Sequence, residues 1–490
     1  MAQPPTPAVP NGPPSIPSDV LPDVTGITAD SRAVEPGMLY AALPGVHSDG
    51  RAFIAEAVAR GAAAVLAPEG TPWPKGVPLR PLMEDKEPRR VLARLAALRA
   101  GPQPRTLVAV TGTNGKTSVA EFFRQLMQAS GIQAASLGTL GLRCPPGFGI
   151  ACSGGPVLTT PDPVRLAETL AVLAREGIAA AALEASSHGL AQFRLDGLRL
   201  TAGAFTNLTR DHLDYHGTFD AYRAAKLRLF GELLPEGAPV LAGTALDPES
   251  LAALRTTVAR RRLQLGLVGE GGDIMRLVSA TPHAAGQTLV VEAGGAWRTF
   301  ELALPGRFQA DNALLAAALA KVSGVTDPLA LLPGLTGVRG RMEFVASVNG
   351  GAAYVDYAHT PDALDRLLAA LRPHTQGRLI LVFGAGGDRD PGKRPLMGAA
   401  ATREADIAII TDDNPRSDDP AAIRAAIHTA CPDALEIGDR AAAIEAGLSM
   451  LRPGDVLAVA GKGHEAGQTV GGITFPFDDA DIIRGLAGTL

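Results

Sequence analysis

The chain has 490 residues with 45 Lys plus Arg against 50 Asp plus Glu, a formal net charge of −5. That length exceeds a single typical core, so we expect several domains, and the acidic balance argues against nonspecific binding of nucleic acid. Its three cysteines have neither zinc spacing nor a disulfide framework. No apolar run reaches membrane-spanning length and no signal-peptide pattern opens the chain, so we predict no membrane span and a cytoplasmic location.

Changes in composition predict the domain boundaries. Residues 1–22 are rich in proline with little apolar periodicity, which is typical of a disordered leader. A small α/β domain is expected over 23–100, and a Gly-Pro-Gln-Pro stretch at 101–104 resembles a linker. A central domain over 101–337 and a C-terminal domain over 338–490 complete the prediction.

Residues 108–118 are the most informative stretch, because an apolar run breaks into a loop of Gly, Thr, Asn and Lys before helical spacing begins. Backbone N–H groups of such a loop and the start of the helix attract anionic oxygens. Lys116 can reach terminal phosphates, and the Thr117 hydroxyl can bind magnesium. The P-loop pattern is incomplete, since Val110 stands where its first glycine is expected. The segment still predicts a nucleoside triphosphate site.

Two further apolar runs of the central domain end in polar residues, 178–183 at Glu184 and 200–205 near Asn207. Strands that alternate with helices predict a parallel, doubly wound sheet, whose ligands lie beyond the carboxyl ends of the strands. Glu184 suits a divalent cation. Segment 207–216 holds two histidines and two aspartates, which favours a catalytic or metal-binding role over a polar helix start. Lys226 lies in a helix-like segment, and its spacing alone predicts a solvated surface lysine.

The C-terminal domain repeats this layout. Its apolar runs 379–383, 407–410 and 456–460 each end in a polar motif. We therefore predict a Rossmann-like crevice there. The overall prediction is an α/β protein of three domains: a small N-terminal α/β domain, a central P-loop doubly wound ATPase domain and a C-terminal Rossmann-like domain.

Taken together, these motifs resemble those of the Mur ligases, most closely the UDP-N-acetylmuramoyl-tripeptide synthetases, which add the third residue of the peptidoglycan stem peptide. The resemblance extends over nearly the whole chain after the leader. Its motifs lie at residues 30–32, 45–50, 111–117, 159–161, 184–190, 192 with 194, 211–214, 340–343, 355–361, 387–390, 413–416 and 461–465.

The resemblance implies which residues bind the substrates. UDP-N-acetylmuramoyl-L-Ala-D-Glu would be held by Ser31, Val46, His47, Ser48, Thr159, Thr160, Ser186, Gln192 and Arg194. ATP would be held by Gly112, Thr113, Asn114, Gly115, Lys116, Thr117, Ser118, Asn312, Arg341, Asp356 and His359. The incoming amino acid would be held by Arg389, Asp413, Asn414, Pro415, Arg416, Gly461 and Glu465.

The resemblance also implies a catalytic group of Lys116, Lys226, His212 and Glu184, with Mg²⁺ bound by Thr117, Glu184, His212 and Lys226. Lys226 is the position at which the family carries a carbamylated lysine, which reverses the surface interpretation. The implied reaction converts the D-Glu side-chain carboxylate to an acyl phosphate with ATP, and an amine then attacks it. We expect a monomer.

The identity of the amino acid rests on Arg416. A guanidinium binds a carboxylate in fork geometry, which favours meso-diaminopimelate, a substrate with a second carboxyl group. L-Lysine or L-ornithine, bound through Asp418 or Asp419, stays an alternative. Two other functions also stay open: a folylpolyglutamate-type ligase, which shares the acyl-phosphate chemistry, and a regulatory P-loop switch.

Overall fold

The computed structural model describes residues 24–45, 48–145, 148, 158–283 and 286–488. The predicted leader 1–22 and the predicted ligands Val46 and His47 lie outside these ranges, as does Cys152. In the described residues the strands are β1 Ile27–Thr28, β2 Leu39–Ala41, β3 Ala64–Pro68, β4 Leu82–Asp85, β5 Thr106–Thr111, β6 Ala134–Gly138, β7 Gly141–Arg143, β8 Ala180–Glu184, β9 Ala202–Phe205, β10 Pro239–Gly243, β11 Gln264–Gly269, β12 Met275–His283, β13 Gly286–Ala293, β14 Ala296–Leu302, β15 Glu343–Val348, β16 Gly351–Asp356, β17 Leu379–Phe383, β18 Ile407–Ile410, β19 Leu435–Glu436, β20 Val456–Ala460, β21 Gly467–Val470 and β22 Ile473–Pro476. The α-helices are α1 Ile54–Ala59, α2 Pro88–Ala100, α3 Lys116–Ala129, α4 Pro163–Arg175, α5 Ser187–Ala191, α6 Leu213–His216, α7 Phe219–Arg228, α8 Pro248–Arg261, α9 Arg307–Val322, α10 Pro361–Leu371, α11 Lys393–Glu404, α12 Pro420–His428, α13 Arg440–Ser449 and α14 Asp479–Ala487.

These elements form two compact units. The first contains the residues up to 103 together with 161–175 and 189–198, and the second contains 104–160, 176–188 and 199 onward. The sequence-based boundaries at 22, 100 and 337 stay predictions.

The first unit is built on a parallel sheet in the order β1-β2-β3-β4. β2 and the first four residues of β3 are buried on both faces, which explains their unbroken apolar sequences. Helices α2 and α4 pack through the small side chains of Ala96, Ala97 and Ala167. Segment 161–175 thus belongs to this unit although it follows β7 in sequence.

The second unit contains a ten-stranded sheet in the order β14-β13-β12-β11-β10-β9-β5-β8-β6-β7. From β12 to β6 the pairs are parallel, whereas β12 to β14 form an antiparallel meander at one edge and β7 pairs antiparallel at the other. β5 lies between β8 and β9. After β5 the chain crosses to β6 on the far side of β8, and it later adds β9 on the opposite side of β5. A crevice forms at such a switch point, at the carboxyl ends of these strands.

One apolar core stabilises this sheet. Helix α3 contributes Val119, Phe122, Phe123 and Leu126, the residues whose helical spacing predicted it. Helix α9 joins the same core with a run of buried Ala and Leu from Ala313 to Ala320. The core therefore packs the phosphate-loop helix against α9 and the sheet.

The same unit also contains a six-stranded sheet in the order β15-β16-β20-β17-β18-β19, parallel except for the β15–β16 pair. The predicted apolar runs 379–383, 407–410 and 456–460 are β17, β18 and β20, so this prediction is confirmed. Among the helices described between residues 24 and 488, none is long and apolar enough to cross a membrane.

Candidate active site

The loop between β5 and α3 is where the sequence predicts it. β5 ends at Thr111 and α3 begins at Lys116. Gly112 has φ 145°, and a Cβ there would lie 1.9 Å from the Thr206 hydroxyl oxygen. Gly115 has φ 82°, and a Cβ there would lie 2.4 Å from Asn312 Oδ1. Both positions require glycine, and the second brings Asn312 of α9 against the loop.

Asn207, which follows β9, holds the loop in place. Its carbonyl accepts from Thr113 N at 2.9 Å, and its Oδ1 accepts from Asn114 N at 3.0 Å. The Lys116 ammonium donates back to the carbonyls of Gly112 at 3.1 Å and Thr113 at 2.9 Å. The loop is therefore preformed, with its lysine folded onto it. Sequence reasoning included Asn207 in a motif and gave it no role.

Glu184 ends β8, the strand beside β5, and its carboxylate is buried. Oε1 accepts from Thr139 N at 2.8 Å, and Oε2 accepts from the Thr139 hydroxyl at 3.2 Å. Burial raises the pKa of Glu184, opposed by the charge of Lys116 and by hydrogen bonds from Thr139 and Thr117. Burial also lowers the pKa of Lys116, opposed by Glu184 and Asp211. The two groups therefore share one poorly solvated site.

The interpretation of Lys226 as a surface lysine is wrong. Its side chain on α7 is only 1% exposed and donates to the Gly112 carbonyl at 2.7 Å. The ammonium nitrogen also lies 4.5 Å from the centre of the Tyr222 ring, and the Tyr222 hydroxyl lies 3.1 Å from Thr113 Oγ1. Burial, and then the charge of Lys116, hold the pKa of Lys226 well below its ordinary value. Its low pKa favours the neutral amine, the form that reacts as a nucleophile.

His212 is placed by an unusual backbone. It lies just before α6 with φ 51°, and its Nε2 is 3.5 Å from Asp211 Oδ2. Its ring packs edge-on to His188 with centroids 4.9 Å apart, and its centroid lies 6.2 Å from that of Tyr222. Tyr222 thus connects His212 to Lys226. His212 itself is half-exposed, unlike Glu184 and Lys226.

The donor chemistry of this group fits the predicted magnesium ion. Within the described ranges, no three His, Cys, Asp or Glu side chains gather as a ready-made cage for a metal. Glu184 and Thr117 offer the oxygen atoms that Mg²⁺ prefers, and Lys226 would add a third oxygen donor only as a carbamate. Burial raises the pKa of Glu184 despite the charge of Lys116, and a divalent cation bound there would favour the ionised carboxylate.

The remaining predicted nucleotide ligands lie around the end of β16. Asp356 accepts from Met342 N at 2.7 Å and from Ala358 N at 2.8 Å. Burial raises the pKa of Asp356, opposed by these bonds and by Arg341. The structure also gathers Arg341 and His359 around Tyr357: the guanidinium carbon lies 5.0 Å from the ring centre, and the ring centroids of Tyr357 and His359 are 4.6 Å apart. Tyr357 lies within the motif 355–361, but the sequence analysis gave it no role.

The predicted ligands of the muramoyl-dipeptide fall in both units. In the second unit, the Thr160 hydroxyl donates to Glu184 O at 2.7 Å and lies 2.9 Å from Ser186 Oγ, while Thr159 Oγ1 lies 3.2 Å from Thr139 Oγ1. In the first unit, Ser31 donates to Glu56 at 3.0 Å, and Arg194 donates to Gln192 at 2.7 Å. The described part of the loop at 45–50 includes Ser48, whose carbonyl accepts from Gly45 N at 2.9 Å.

The predicted amino-acid ligands meet at the carboxyl ends of β17, β18 and β20. Asn414 donates to Glu465 Oε2 at 2.8 Å and to Asp413 Oδ1 at 3.2 Å. Arg416 has φ 53° and donates to Gly387 O at 2.8 Å. Because Gly461 lacks a Cβ, Asp413 Oδ2 can approach within 2.1 Å of where that atom would be. That oxygen is buried without a hydrogen bond in the described structure.

Arg389 lines an open cleft of about 840 Å³ beside this loop, together with Asp388, Arg394, Asp418 and Asp419. Asp418 accepts from Arg394 Nη2 at 2.5 Å, and Asp419 caps α12 by accepting from Ala421 N at 3.1 Å. Both aspartates therefore already accept hydrogen bonds within the protein, and Arg389 lines the same cleft.

Comparison with known proteins identifies the family. Three family models match the chain: the catalytic domain of the Mur ligase family over residues 23–99, the Mur ligase middle domain over 110–320 and the Mur ligase, glutamate ligase domain over 340–463. The chain is 54% identical over 472 residues to the UDP-N-acetylmuramoyl-L-alanyl-D-glutamate--2,6-diaminopimelate ligase of Caulobacter vibrioides, covering 95% of this chain and 96% of that protein. It is 50% identical over 472 residues to the protein of the same name from Rhizobium meliloti, covering 95% of each.

Comparison with solved structures gives the same family and fold. A UDP-N-acetylmuramoyl-L-alanyl-D-glutamate--2,6-diaminopimelate ligase superposes with a TM-score of 0.72 at 31% identity over 95% of each chain. A MurF ligase from Thermotoga maritima in complex with ADP gives a TM-score of 0.61 over 96% of this chain and 98% of that one, and at 19% identity it supports the fold alone. The chain belongs to the Mur ligase family. The predicted family and the predicted three-domain α/β fold class are confirmed.

Proposed function

We propose that this chain is an ATP-dependent ligase that joins meso-diaminopimelate to the D-Glu side-chain carboxylate of UDP-N-acetylmuramoyl-L-Ala-D-Glu in peptidoglycan synthesis. One observation supports it above the others: Lys116 and Lys226 both donate to the carbonyl of Gly112 beside the buried carboxylate of Glu184. The cationic Lys116 at a glycine loop suits the charge of a triphosphate and a carboxylate substrate brought together, and the buried Lys226 amine lies against the same loop.

The chain's own residues account for the first step. The substrate carboxylate attacks the γ-phosphorus, the bond from that phosphorus to the β–γ bridging oxygen breaks, and ADP leaves. Lys116 exchanges its bonds to the loop carbonyls for phosphate oxygens and offsets charge as two anions approach. The N–H groups at the start of α3 favour the same oxygens. The product is an acyl phosphate on the D-Glu side chain.

In the second step the amine attacks the acyl carbon, phosphate leaves with one former carboxylate oxygen, and the nitrogen loses a proton. Asn414, Arg416 and Glu465 would orient the amino acid so that its amine meets the acyl carbon. Positioning of this kind contributes on the order of several kcal/mol to lowering the barrier.

Magnesium, held by Thr117, Glu184, His212 and a carbamylated Lys226, would supply Lewis-acid stabilisation of the phosphate oxygens. The carbamate forms when the neutral Lys226 amine attacks carbon dioxide and a proton is lost. The low pKa of Lys226 supports this modification, because burial disfavours the ammonium form. Lys226→Ala should abolish ligation, and wild-type enzyme freed of carbon dioxide should lose activity that added bicarbonate restores; indifference to both would contradict the carbamate.

The choice of diaminopimelate over lysine or ornithine rests on Arg416 and Arg389, two guanidinium groups near one cleft. Lysine and ornithine share the second amino group of diaminopimelate and lack its second carboxylate, which is the group that a guanidinium would bind. We also propose a monomer in the cytoplasm, from composition alone.

A substrate panel tests the function. Purified enzyme is given ATP and Mg²⁺ with the UDP-linked dipeptide, and diaminopimelate, lysine and ornithine are compared as acceptors. We expect amide formation and ADP release that depend on diaminopimelate, and loss of both in Lys116→Ala with the fold retained. Turnover with a folate instead of the dipeptide would favour the folylpolyglutamate-type ligase, and phosphate release without any amine would favour a nucleotide switch.

A further inference from the structure

The hairpin of β21 and β22 forms a two-stranded sheet of its own, next to the six-stranded sheet. Isolated two-stranded hairpins are only marginally stable in water, so contacts beyond the hairpin must hold it. Those contacts are made with the loop 412–416, which contains four of the predicted amino-acid ligands.

Gln468 makes the first pair of contacts. Its side-chain amide donates to the carbonyl of Asp413 at 2.9 Å and to the carbonyl of Asp412 at 3.3 Å. Arg440 Nη1 also donates to the Asp412 carbonyl, at 3.5 Å, so the Gln468 amide acts with this guanidinium to fix the turn of the chain after β18. The sequence gives no signal for this role, because a lone glutamine in a strand is most often a surface residue.

The neighbouring residue, Thr469, binds the side chain of Asn414 and the backbone of Arg416. Its N–H donates to Asn414 Oδ1 at 2.9 Å, and its carbonyl accepts from Arg416 N at 2.9 Å. At the turn of the hairpin, Gly471 N donates to the carbonyl of Arg416 at 2.7 Å. Arg416 is thus held on both sides by hairpin backbone.

Arg416 needs such support because its φ of 53° lies in the left-handed region, which residues other than glycine rarely adopt unless their surroundings impose it. Lys462 adds a buried anchor. It is 0% exposed, and its ammonium donates to the carbonyl of Gly467 and to Asn414 Oδ1, the latter at 3.4 Å. Hydrogen bonds therefore hold the hairpin at its first residue, Gly467, along its first strand at 468–469, and at its turn, Gly471.

We propose that the hairpin 467–476 is a positioning element for amino-acid recognition, and that Gln468 is its principal positioning residue. By fixing the backbone of 412–416, it sets the direction in which Arg416 presents its guanidinium and Asn414 its amide. The inference rests on the proposed function, because it concerns the affinity for an acceptor with a second carboxylate. Gln468 touches no substrate in this account and acts through the loop.

Gln468→Met tests the proposal, because it keeps the length and apolar stem of the side chain and removes only the amide. We expect the KM for diaminopimelate to rise about tenfold, which is the range for losing two hydrogen bonds to a loop, with kcat unchanged within about twofold. The KM values for ATP and for the UDP-linked dipeptide should stay within about twofold of the wild type. Gln468→Glu, which sets a carboxylate against two carbonyls, should raise the KM for diaminopimelate further.

Ile473→Ala is the matched control on the opposite strand. Ile473 is 61% exposed and pairs with Val470, and its apolar side chain can make none of the hydrogen bonds that hold the loop. This variant should leave all three KM values unchanged. A Gln468→Met enzyme with an unaltered KM for diaminopimelate would overturn the proposal. So would an equal rise in all three KM values with a lower melting temperature, since that marks a general structural role.

The wild-type panel is measured first. A wild type that ligates no diaminopimelate contradicts the proposed function, and the KM of Gln468→Met for whichever acceptor is used then still decides the role of the hairpin.

Discussion

Gly138→Ala should displace the carboxylate of Glu184 without straining the backbone. A Cβ at Gly138 would lie 2.0 Å from Glu184 Oε1 and 2.4 Å from its Cδ. Because nonbonded carbon and oxygen atoms normally lie about 3.5 Å apart or more, the carboxylate must move by more than about 1 Å. It would then lose its bond from Thr139 N, now 2.8 Å long. An unsatisfied buried donor costs about 1–3 kcal/mol of stability, and a misplacement of that size costs about 10²-fold in kcat.

The assay is steady-state release of ADP with saturating dipeptide and diaminopimelate, together with the melting temperature. Gly141→Ala is the matched control: its φ is 73°, and nothing lies within 4 Å of the added methyl. It carries a backbone strain of about 1–2 kcal/mol and leaves Glu184 in place, so its kcat should stay near the wild-type value. If Gly138→Ala turned over as fast as Gly141→Ala, the position of Glu184 would not matter for catalysis.

Three further predictions concern charge. Burial lowers the pKa of Lys226, so at any pH below its ordinary pKa of 10.5 the folded state disfavours the ammonium form that the unfolded chain keeps. Lys226→Met should therefore melt at a higher temperature than the wild type at neutral pH in carbon-dioxide-free buffer, while losing ligation. A lower melting temperature would contradict the low pKa. Arg416→Met should reduce kcat/KM for diaminopimelate by about 10- to 100-fold and reduce lysine use far less, and equal losses would show that the guanidinium does not select. Burial raises the pKa values of Tyr40, Tyr222 and Tyr354 from 10.0 to about 12, so each native phenol keeps a proton that the unfolded chain releases. Their stabilising contribution is complete below pH 10 and is lost as the pH rises to about 12, and denaturant titrations that show no fall over that window would refute it.

Much of the fold could be predicted because parallel strands buried on both faces leave unbroken apolar runs. β17, β18 and β20 were located to the residue in this way. The antiparallel meander β12 to β14 could not be anticipated from the doubly wound pattern, since that pattern describes only strands joined by helices. The assignment of segment 161–175 to the first unit depends on Ala–Ala packing between α2 and α4, which leaves little trace in sequence.

The candidate site, like the fold, could be predicted from the sequence only in part. The glycines of the loop 112–116 could be predicted from the local sequence, because the loop conformation requires them. The lysine that follows them completes the recognisable pattern. Lys226 carries none: a single lysine in a polar helix looks exposed until tertiary packing buries it under Gly112 and Tyr222. Asn207, Thr139 and Tyr222 were missed as supports because each acts through a contact distant in sequence.

The proposed reaction requires the transfer of one carboxylate oxygen to phosphate. The D-Glu side-chain carboxylate of the UDP-linked dipeptide is labelled with ¹⁸O, and the phosphate released during ligation of diaminopimelate is analysed by mass spectrometry. An acyl phosphate requires one labelled oxygen to leave in each phosphate molecule. Phosphate that carries no label, released at the rate of amide formation, would contradict the proposed reaction.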